Sequence, residues 1–573
     1  SSLSMVILDW MLLCTSAAIS TSNANLRRDW SRAFRPQENE FHQVAVAVTG
    51  NVPETLRGTF FKNGPARFSR GKDQYAHWLD GDGYISKLVI GDTSVMWSAR
   101  FVRTEAFDDE EQADRVCYRT TFGTPKPGGL AANAFDVRLK SPANTNVLVT
   151  SDETLLALWE AGPPFELCAK TLESLGPTDM RGRLAVSNTH GALPGTTGVA
   201  AMDRLLDGAG LLCDALSAHP RFDATSQSTV AWSWRQELLG DAIEIALHTL
   251  STTGSTSAIE TAAGYPTVRA KLERCSFAPH DMALTSSLAV FLTAPTQVDI
   301  LPFVIGLRGP AQCTTFDRTA ILGGEGSTLH AVHRDGSGVK RLQLPGPFHA
   351  VHMANAWEAS DQEAPTDDVT EMHVVASCWP PHELRSMASS QRDLLGSWED
   401  LQAGDFSDVP NTNLCHFVVD FASGDIRRSS VLADGAQIDH PTVHPAFMAR
   451  ESRFVYGTCG QLGASEPSAV KPCPTQSFVA VDLTSGEIVD RWHAGERRIV
   501  DEATLVAYGQ EDEREAWLIA PIFDGATDTT SYVVLDASNL AAGPVCEMHL
   551  PTFIPWGLHG AWVDEEGGGR VVL

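Results

Sequence analysis

The amino-acid sequence predicts an all-β fold, and three features of the chain support this. It has 573 residues, of which 43% are hydrophobic and 20% charged, so it can bury a large core. From Glu38 onward, short runs of β-branched and aromatic residues are separated by Gly, Pro, Asn and Asp at intervals of roughly 8 to 15 residues, as in β-sandwiches, barrels and propellers. Helical patterns are scarce. The proline-free stretches 200–216 and 387–401 are the clearest, and we expect them to cap one face of the sheets.

A repeated local unit helps to choose among these β architectures. A strand that ends in Asp is followed by a small-residue turn and a second strand at Asp420, Asp482 and Asp536. The units recur at ~55 to 60 residues, a spacing that suits successive blades of a propeller. The repeat favours a propeller and leaves the sandwich and the barrel open.

The N-terminal segment 1–27 differs from the rest of the chain. Residues 5–19 are mostly apolar but contain Asp9, and the run is shorter than the ~20 residues that a membrane-spanning helix needs. The segment is therefore either a targeting peptide or an N-terminal helix. Residues 28–573 contain no low-complexity tract and no long linker, and they are predicted to form a single domain.

The charge balance excludes one class of partner. Lys and Arg number 43 and Asp and Glu 71, which gives a net charge of −28 that repels nucleic acids and anionic lipid headgroups. Nucleic acid is thus excluded, and any membrane contact has to rest on an apolar patch. The 11 cysteines form no C-x-x-C pair, which favours reduced thiols; Cys459 and Cys473 could pair, but no feature of the sequence requires it.

Four histidines lie in similar settings, most of them at the edge of an apolar run with Pro or Gly close by. They are His219, His280, His352 and His559. Four imidazoles from separate blades can converge on one metal, and neutral nitrogen ligands suit iron, copper or zinc and favour a redox-capable metal with open coordination positions. Their separations of 61, 72 and 207 residues match no local metal motif, so each histidine taken singly is more often a core or capping residue.

Three acidic residues have settings that could support such a site. Metal-bound imidazoles usually donate their second N–H to a carboxylate or a carbonyl. Glu160 follows the apolar run 155–159, which makes an exposed position hard to explain. Asp439 and Glu502 are, from their surroundings alone, better interpreted as solvated turn residues.

Further motifs occur in a characteristic order along the chain. They are LRGTFFKNGP at 56–65, HWLDGDG at 77–83, ANTN at 143–146, LLALWEAG at 155–162, TTSYVVLD at 529–536 and PWGLHGAW at 555–562. With the four histidine motifs between and within them, this ordered set resembles the carotenoid cleavage oxygenase family over residues 28–563. A single motif would be weak, but the ordered set is specific.

The resemblance implies a fold and a metal. The fold would be a seven-bladed β-propeller with one Fe(2+) on its axis and a cap of helices and loops over one face that encloses an apolar tunnel. The residues that match the family's iron ligands are His219, His280, His352 and His559. Weak candidates for the tunnel lining, equally well interpreted as core aromatics, are Phe122, Phe348 and Trp556.

The resemblance also implies roles for residues around the metal. Glu160 and Glu502 match two of the three glutamates that support the imidazoles in the family, whereas Asp439 stands in place of the third. Because aspartate is shorter, we expect either a loosened imidazole or a bridging water at that position. Thr145 matches a residue that approaches an open iron position in some members.

The activity implied by the resemblance is cleavage of a conjugated double bond of a carotenoid or apocarotenoid with O2, giving aldehyde or ketone products. No external reductant or organic cofactor is needed. Alternatives are a stilbene-type oxygenase, an isomerohydrolase acting on a retinyl ester, which the histidine motifs favour less, and a non-catalytic propeller that serves as a binding module. A lipophilic polyene substrate implies peripheral membrane contact through an apolar patch. A plastid is the expected location, with the cytoplasm as the alternative.

Overall fold

The computed structural model of the protein describes residues 25, 27–150, 154–186, 193–238, 240–251, 267–359, 371–390, 409–460 and 474–565. Within these ranges the chain is predominantly β, with seven sheets of four or more strands and two small two-stranded hairpins. The prediction of a mainly β chain is confirmed. The segment 1–27 lies almost wholly outside the described residues and stays a prediction.

Sheets I to V are built from consecutive stretches of the chain. Sheets I, III, IV and V are antiparallel and four-stranded, and sheet II also contains two parallel pairs. Sheet I consists of Asn146–Val149, Thr154–Leu158, Phe165–Cys168 and Ser174–Pro177, and sheet II of Leu193–Thr196, Leu212–Cys213, Ala215–Leu216, Arg221–Asp223, Ser228–Glu237, Ile243–Ser251 and Val268–Leu272. Sheet III consists of Ala283–Leu284, Leu288–Thr293, Thr328–His333 and Val339–Gln343. Sheet IV consists of His349–Ala359, Glu371–Trp379, Asn413–Asp420 and Ile426–Val431, and sheet V of Ile438–Thr442, Phe454–Cys459, Ser477–Asp482 and Glu487–His493.

Sheets VI and VII join the two ends of the chain. Ala47–Gly50 pairs with Cys546–His549, and Gly58–Lys62 pairs with Gly560–Asp564. The remaining strands of sheet VI are Arg498–Val500, Thr504–Ala507, Ala516–Asp524 and Thr529–Asp536, and those of sheet VII are Phe41–Ala45, Pro65–Arg67, Asp82–Ile90 and Val95–Phe101. The two hairpins are Ser69–Arg70 with Asp73–Gln74 and Thr296–Val298 with Thr314–Phe316. The hairpin turns predicted after Asp420, Asp482 and Asp536 all connect paired strands, as expected.

The inner strands are buried on both faces. Every residue of Leu288–Thr293 and of Ser477–Asp482 is buried, whereas the outer strand Glu487–His493 alternates between exposed and half-buried residues. A strand covered on both sides needs a continuous apolar run rather than a strict alternation. The sheets therefore pack face to face, and their apolar residues form the core between them.

The first strands of neighbouring sheets lie side by side. His349–Ala359 of sheet IV contacts Ala283–Leu284 of sheet III and Ile438–Thr442 of sheet V. At the other end of the series, Gly560–Asp564 of sheet VII contacts Asn146–Val149 of sheet I. Residues at the starts of these strands are consequently brought together from distant parts of the sequence.

Helices occur mainly in the connections between strands. They span 27–33, Glu105–Ala113, Leu130–Asn133, Ala200–Gly208, Leu301–Val304, Arg318–Leu322 and Pro381–Ser390, with short 3-10 turns at Trp78–Asp80, Ala311–Cys313, Ala433–Gly435, Pro445–Phe447 and Leu540–Ala542. The helix predicted over 200–216 begins at Ala200 but ends at Gly208, because 212–216 pairs into sheet II. The second predicted helix begins earlier, at Pro381, a residue that suits a first helical position, and 391–401 lies outside the described residues.

Two remaining predictions concern cysteines and the membrane. Cys459 is a buried free thiol, and its suggested partner Cys473 lies outside the described residues. Among the helices that the structure describes, none combines the length and the apolar character needed to cross a bilayer.

Candidate metal centre

The four predicted histidines meet at one place. His219 lies between two short strands of sheet II, His280 precedes sheet III, His352 is in the first strand of sheet IV, and His559 precedes the strand Gly560–Asp564 of sheet VII. Each offers a ring nitrogen, and these four atoms all lie within 4.8 Å of one another. The Nε2 atoms of His219 and His280 are 3.1 Å apart. Nitrogen atoms this close fit the ligand set of a single metal ion.

The three predicted carboxylates surround the histidines and come from the sheets that supply no imidazole. Glu160 follows the second strand of sheet I, Asp439 is in the first strand of sheet V, and Glu502 lies between two strands of sheet VI. All seven sheets thus contribute one residue each to the centre. This arrangement explains why no local spacing in the sequence indicates the site.

Two of the carboxylates accept hydrogen bonds from imidazoles. His352 Nδ1 is 2.7 Å from Asp439 Oδ1, and His559 Nδ1 is 2.8 Å from Glu502 Oε1. An ionised carboxylate only accepts hydrogen bonds, so Nδ1 of both rings carries the proton and Nε2 keeps its lone pair. These two imidazoles are therefore in the tautomer that binds a metal through Nε2.

Glu160 makes a different contact, because it lies close to two imidazoles. Its Oε1 is 2.7 Å from His280 Nδ1 and 3.4 Å from His219 Nε2. No aligned hydrogen bond reaches this oxygen from the described residues, so the contact is electrostatic. Although burial acts to raise it, the neighbouring imidazoles hold the pKa of the Glu160 carboxyl well below its ordinary value.

The bond from Asp439 corrects the expectation of a loosened or water-bridged imidazole. The shorter acid reaches His352 directly, at 2.7 Å. Its strand contains a bulge between Asp439 and Thr442, where the register against the next strand shifts, and His440 in the bulge has a left-handed backbone with φ 47°. Bulges are common next to functional sites, where they re-aim side chains.

The Asp439 contact gives a testable prediction. Asp439→Asn should weaken Co2+ binding about 10- to 100-fold, because the ring of His352 loses its charged acceptor. Equilibrium dialysis of Co2+ against purified protein measures the change. Asp434→Asn, an exposed acid in the turn before the same strand, is the matched control and should leave the affinity unchanged. An affinity for Asp439→Asn equal to that of the control contradicts a supporting role.

Burial and charge set the protonation of the imidazoles. Burial lowers the pKa of His219 well below its ordinary value and also lowers the pKa of His559. Burial opposes protonation of His280 too, but the Glu160 carboxylate beside it raises the pKa of His280 above its ordinary value. Despite burial, His559 and Lys62 keep the pKa of Glu502 well below its ordinary value, as His352 does for Asp439. Mostly neutral imidazoles backed by ionised carboxylates are the donor set that a divalent metal requires.

Sequence reasoning missed Lys62, which supports the ligand set from the N-terminal half of the chain. Its buried Nζ donates to Leu558 O at 2.7 Å and to Glu502 Oε2 at 3.2 Å, and it lies 3.1 Å from Asp501 Oδ1. The side chain thereby connects the strand Gly58–Lys62 to the residues that carry His559. The only available signal was its place inside the motif at 56–65.

His440 was also missed. Its ring centroid lies 5.0 Å from that of His352 and 6.0 Å from that of His559, and it lines the cavity beside these rings. Thr458 donates its hydroxyl hydrogen to Asp439 O, so it accepts from His440 Nδ1 at 3.2 Å. Burial lowers the pKa of His440 to about 3. The sequence shows that His440 follows Asp439 directly, but it gives no sign of the left-handed backbone conformation of His440.

The remaining candidates separate into one neighbour of the site and three aromatic residues. Thr145 O accepts from the backbone N–H of His559, and its hydroxyl donates to Asn144 Oδ1. Phe348 is buried between sheets III and IV and packs edge to face on Phe417. Phe122 stacks on His77, and Trp556 packs with Trp30, Phe34 and Trp78, 6.0 Å from His440.

The side chains of the centre differ in exposure. The side chains of His219, His352 and His559 are 5%, 12% and 7% exposed, whereas His280 is 31% and Glu160 36% exposed. His280 and Glu160 are therefore the most accessible side chains of the centre.

The comparisons with known proteins agree with this geometry. A family model described as retinal pigment epithelial membrane protein matches residues 34–564. The chain belongs to the carotenoid cleavage oxygenase family. Among family members, the apocarotenoid-15,15'-oxygenase of Synechocystis is 28% identical over 94% of this chain and 96% of that protein. The chloroplastic carotenoid cleavage dioxygenase 7 of Oryza sativa is 27% identical over 94% of this chain and 91% of its own length.

Solved structures of the family extend the likeness to the fold. The cobalt-substituted apocarotenoid oxygenase of Synechocystis superposes with a TM-score of 0.76 at 26% identity, covering 94% of this chain and 99% of that one. A single metal ion is consistent both with the four imidazoles of this chain and with this metal-bound member of the family.

Proposed function

We propose that the chain is a non-haem iron(II) dioxygenase that cleaves a conjugated double bond of a carotenoid or apocarotenoid. The observation that carries the proposal is the convergence of four imidazoles in a member of the carotenoid cleavage oxygenase family. When bound, Fe(2+) would supply the activation of O2 toward an electron-rich double bond. Both oxygen atoms enter the products as two carbonyl groups, so no reductant or organic cofactor is needed.

The residues around the centre would hold and expose the metal. His219, His280, His352 and His559 are the proposed ligands, one ion per chain. Asp439 and Glu502 hold the rings of His352 and His559 in the required tautomer, and Glu160 holds His280 by charge. The space beside His280 would place one double bond of the substrate at the centre and exclude bulk water.

We also propose that the seven sheets are the blades of a propeller formed by one domain, residues 28–573. Support comes from the contacts between first strands of neighbouring sheets and from the contribution of one residue per sheet to the centre. The N- and C-terminal strands that pair in sheets VI and VII would close such a ring. A plastid location stays a prediction, supported by the chloroplastic name of the rice relative.

An apolar patch formed by two short helices is the proposed site of peripheral membrane contact. Its exposed side chains are Leu130, Phe135, Ile300, Leu301 and Leu307. Phe135 is 78% exposed, and its backbone N–H donates to Val304 O, which joins the two helices. Buried Arg119 donates to backbone carbonyls of both segments, so the patch is firmly supported. A lipophilic substrate dissolved in a bilayer would be collected through such a surface.

The patch predicts binding to lipid vesicles. The wild type should co-sediment with phosphatidylcholine vesicles, and the double variant Phe135→Asp, Leu301→Asp should stay in the supernatant because charges at the patch oppose insertion. Val489→Asp, an exposed position on the outer strand of sheet V, is the matched control and should behave like the wild type. Equal sedimentation of the double variant contradicts this use of the patch.

Turnover by the iron-loaded protein tests the proposed function. The panel consists of carotenoids, apocarotenoids, stilbenes and a retinyl ester, with products identified by chromatography and mass spectrometry under air and without oxygen. Oxygen-dependent aldehydes from a polyene are the expected result and name the cleaved bond. Cleavage of stilbenes alone, an alcohol from the retinyl ester, or no product despite bound iron each supports one of the alternatives instead.

A further inference from the structure

Three aromatic rings form a cluster near the centre, and none of them holds the metal or supports its ligands. His349, at the start of the strand that carries His352, lies with its ring centroid 5.0 Å from Trp379 and 5.4 Å from Phe316. Trp379 and Phe316 are 6.1 Å apart, edge to face. Trp379 comes directly before the segment with the helix Pro381–Ser390, and Phe316 belongs to the hairpin inserted in sheet III. The cluster therefore lies where the inserted hairpin and the segment of the helix Pro381–Ser390 meet sheet IV.

His349 is the polar member of this cluster, and its ring packs on aromatic neighbours while its nitrogens stay unused. Neither ring nitrogen hydrogen-bonds to another residue in the described ranges, and the residue is half-buried. Burial and, to a smaller extent, the nearby His280 lower the pKa of His349 to about 4. The neutral ring offers one N–H donor and one lone pair as an acceptor. A fold that needed only another ring here would be served by an apolar residue.

His349 lies close to the more exposed part of the centre. It precedes His352 in the same strand, and His280, the most exposed imidazole of the centre, contributes to the lowered pKa of His349. Val351, between His349 and His352, packs on the apolar cluster that contains Phe316 and Trp379. His349 is therefore a polar side chain beside an apolar and aromatic cluster.

We propose that His349, flanked by Phe316 and Trp379, forms a subsite that binds an oxygen function of the substrate, a hydroxyl or a carbonyl on the polyene. This inference rests on the proposed function and narrows its substrate class to oxygenated polyenes. Apolar walls hold a conjugated chain but do not fix its position along a tunnel. One hydrogen bond at a fixed distance from the centre would fix the position of the polyene, because it selects which double bond reaches the metal.

Binding measured without turnover tests the subsite. Metal-free protein is titrated anaerobically with three polyenes of equal length, an apocarotenoid alcohol, the corresponding aldehyde and the hydrocarbon, and binding is followed by the shift in polyene absorption. The wild type should bind the alcohol and the aldehyde about tenfold more tightly than the hydrocarbon, the size expected for one hydrogen bond. His349→Phe should keep its affinity for the hydrocarbon and lose this preference.

Two further variants keep the result interpretable. His349→Gln retains a donor and an acceptor and should keep part of the preference, which a purely structural role would not produce. His382→Phe, an exposed histidine on the cap helix, is the matched control and should bind like the wild type. A wild type without preference, or a preference that survives in His349→Phe, overturns the subsite alone. Failure of the wild type to bind any of the three polyenes overturns the proposed function and the subsite with it.

Discussion

Replacing His280 with alanine should remove metal and activity while leaving the protein folded. His280 precedes the first strand of sheet III and its side chain is 31% exposed, so its truncation takes little from the core. One of four converging nitrogens is lost, and Glu160 loses the imidazole that it contacts at 2.7 Å. Loss of a supporting carboxylate alone typically costs 10- to 100-fold in metal affinity, so loss of a ligand should cost more than about 100-fold.

Four measurements on this variant separate loss of the metal from loss of the fold. Metal analysis after loading should fall from about one ion per chain to a small residue, and polyene turnover should fall in parallel. Far-ultraviolet circular dichroism and the urea midpoint should stay close to those of the wild type, since surface and cavity-lining truncations usually change stability by about 1 kcal/mol or less. His382→Ala serves as the control, because this side chain is 71% exposed on the cap helix. Retained metal and turnover in His280→Ala contradict the ligand assignment.

Lys140→Met should cause the largest loss of stability of any substitution considered. Lys140 Nζ lies 2.6 Å from Asp82 Oδ1 and 2.7 Å from Glu110 Oε2, and Arg70 lies 2.8 Å from Asp82 Oδ2. All four side chains are almost completely buried. The two cations balance the two anions, so removing Lys140 leaves two buried carboxylates with Arg70 as the one cation of the network. Breaking a buried network in this way costs about 3–5 kcal/mol.

Urea unfolding followed by tryptophan fluorescence measures this loss. The network connects the helix Glu105–Ala113 to the strand Asp82–Ile90, so the change should appear as a lower midpoint of the main transition. Lys271→Met is the control, because Lys271 forms an exposed pair with Glu237 on the edge of sheet II and such pairs contribute little. A midpoint for Lys140→Met that matches the control contradicts the view that this network stabilises the fold.

The fold was predictable where local chemistry decides it. Turn residues after Asp420, Asp482 and Asp536 mark hairpins that the structure contains, because small residues and Asp side chains favour the turn directly. The helix from Ala200 was predicted too long, since nothing local shows that 212–216 pairs with distant strands of sheet II. Tertiary pairing overrides local pattern in that segment.

The site was predictable only through the order of the motifs. His352 and His559 are 207 residues apart, and their meeting depends on how whole sheets are placed, which no periodicity expresses. The direct bond from Asp439 to His352 lies beside a bulge and the left-handed backbone of His440, and neither feature has a signal in the sequence. His349 and Lys62 were missed because one histidine or lysine at the end of a strand resembles many others.

Oxygen uptake by the iron-loaded protein is the sharpest test of the proposed dioxygenase activity. An oxygen electrode records consumption after addition of an apocarotenoid, while chromatography measures the polyene lost and the carbonyl products formed. We expect one O2 consumed for each polyene cleaved, two carbonyl products, and neither uptake nor product with His280→Ala. Carbonyl products formed without oxygen uptake, or a wild type that retains its iron and consumes no oxygen with any polyene, would contradict this activity.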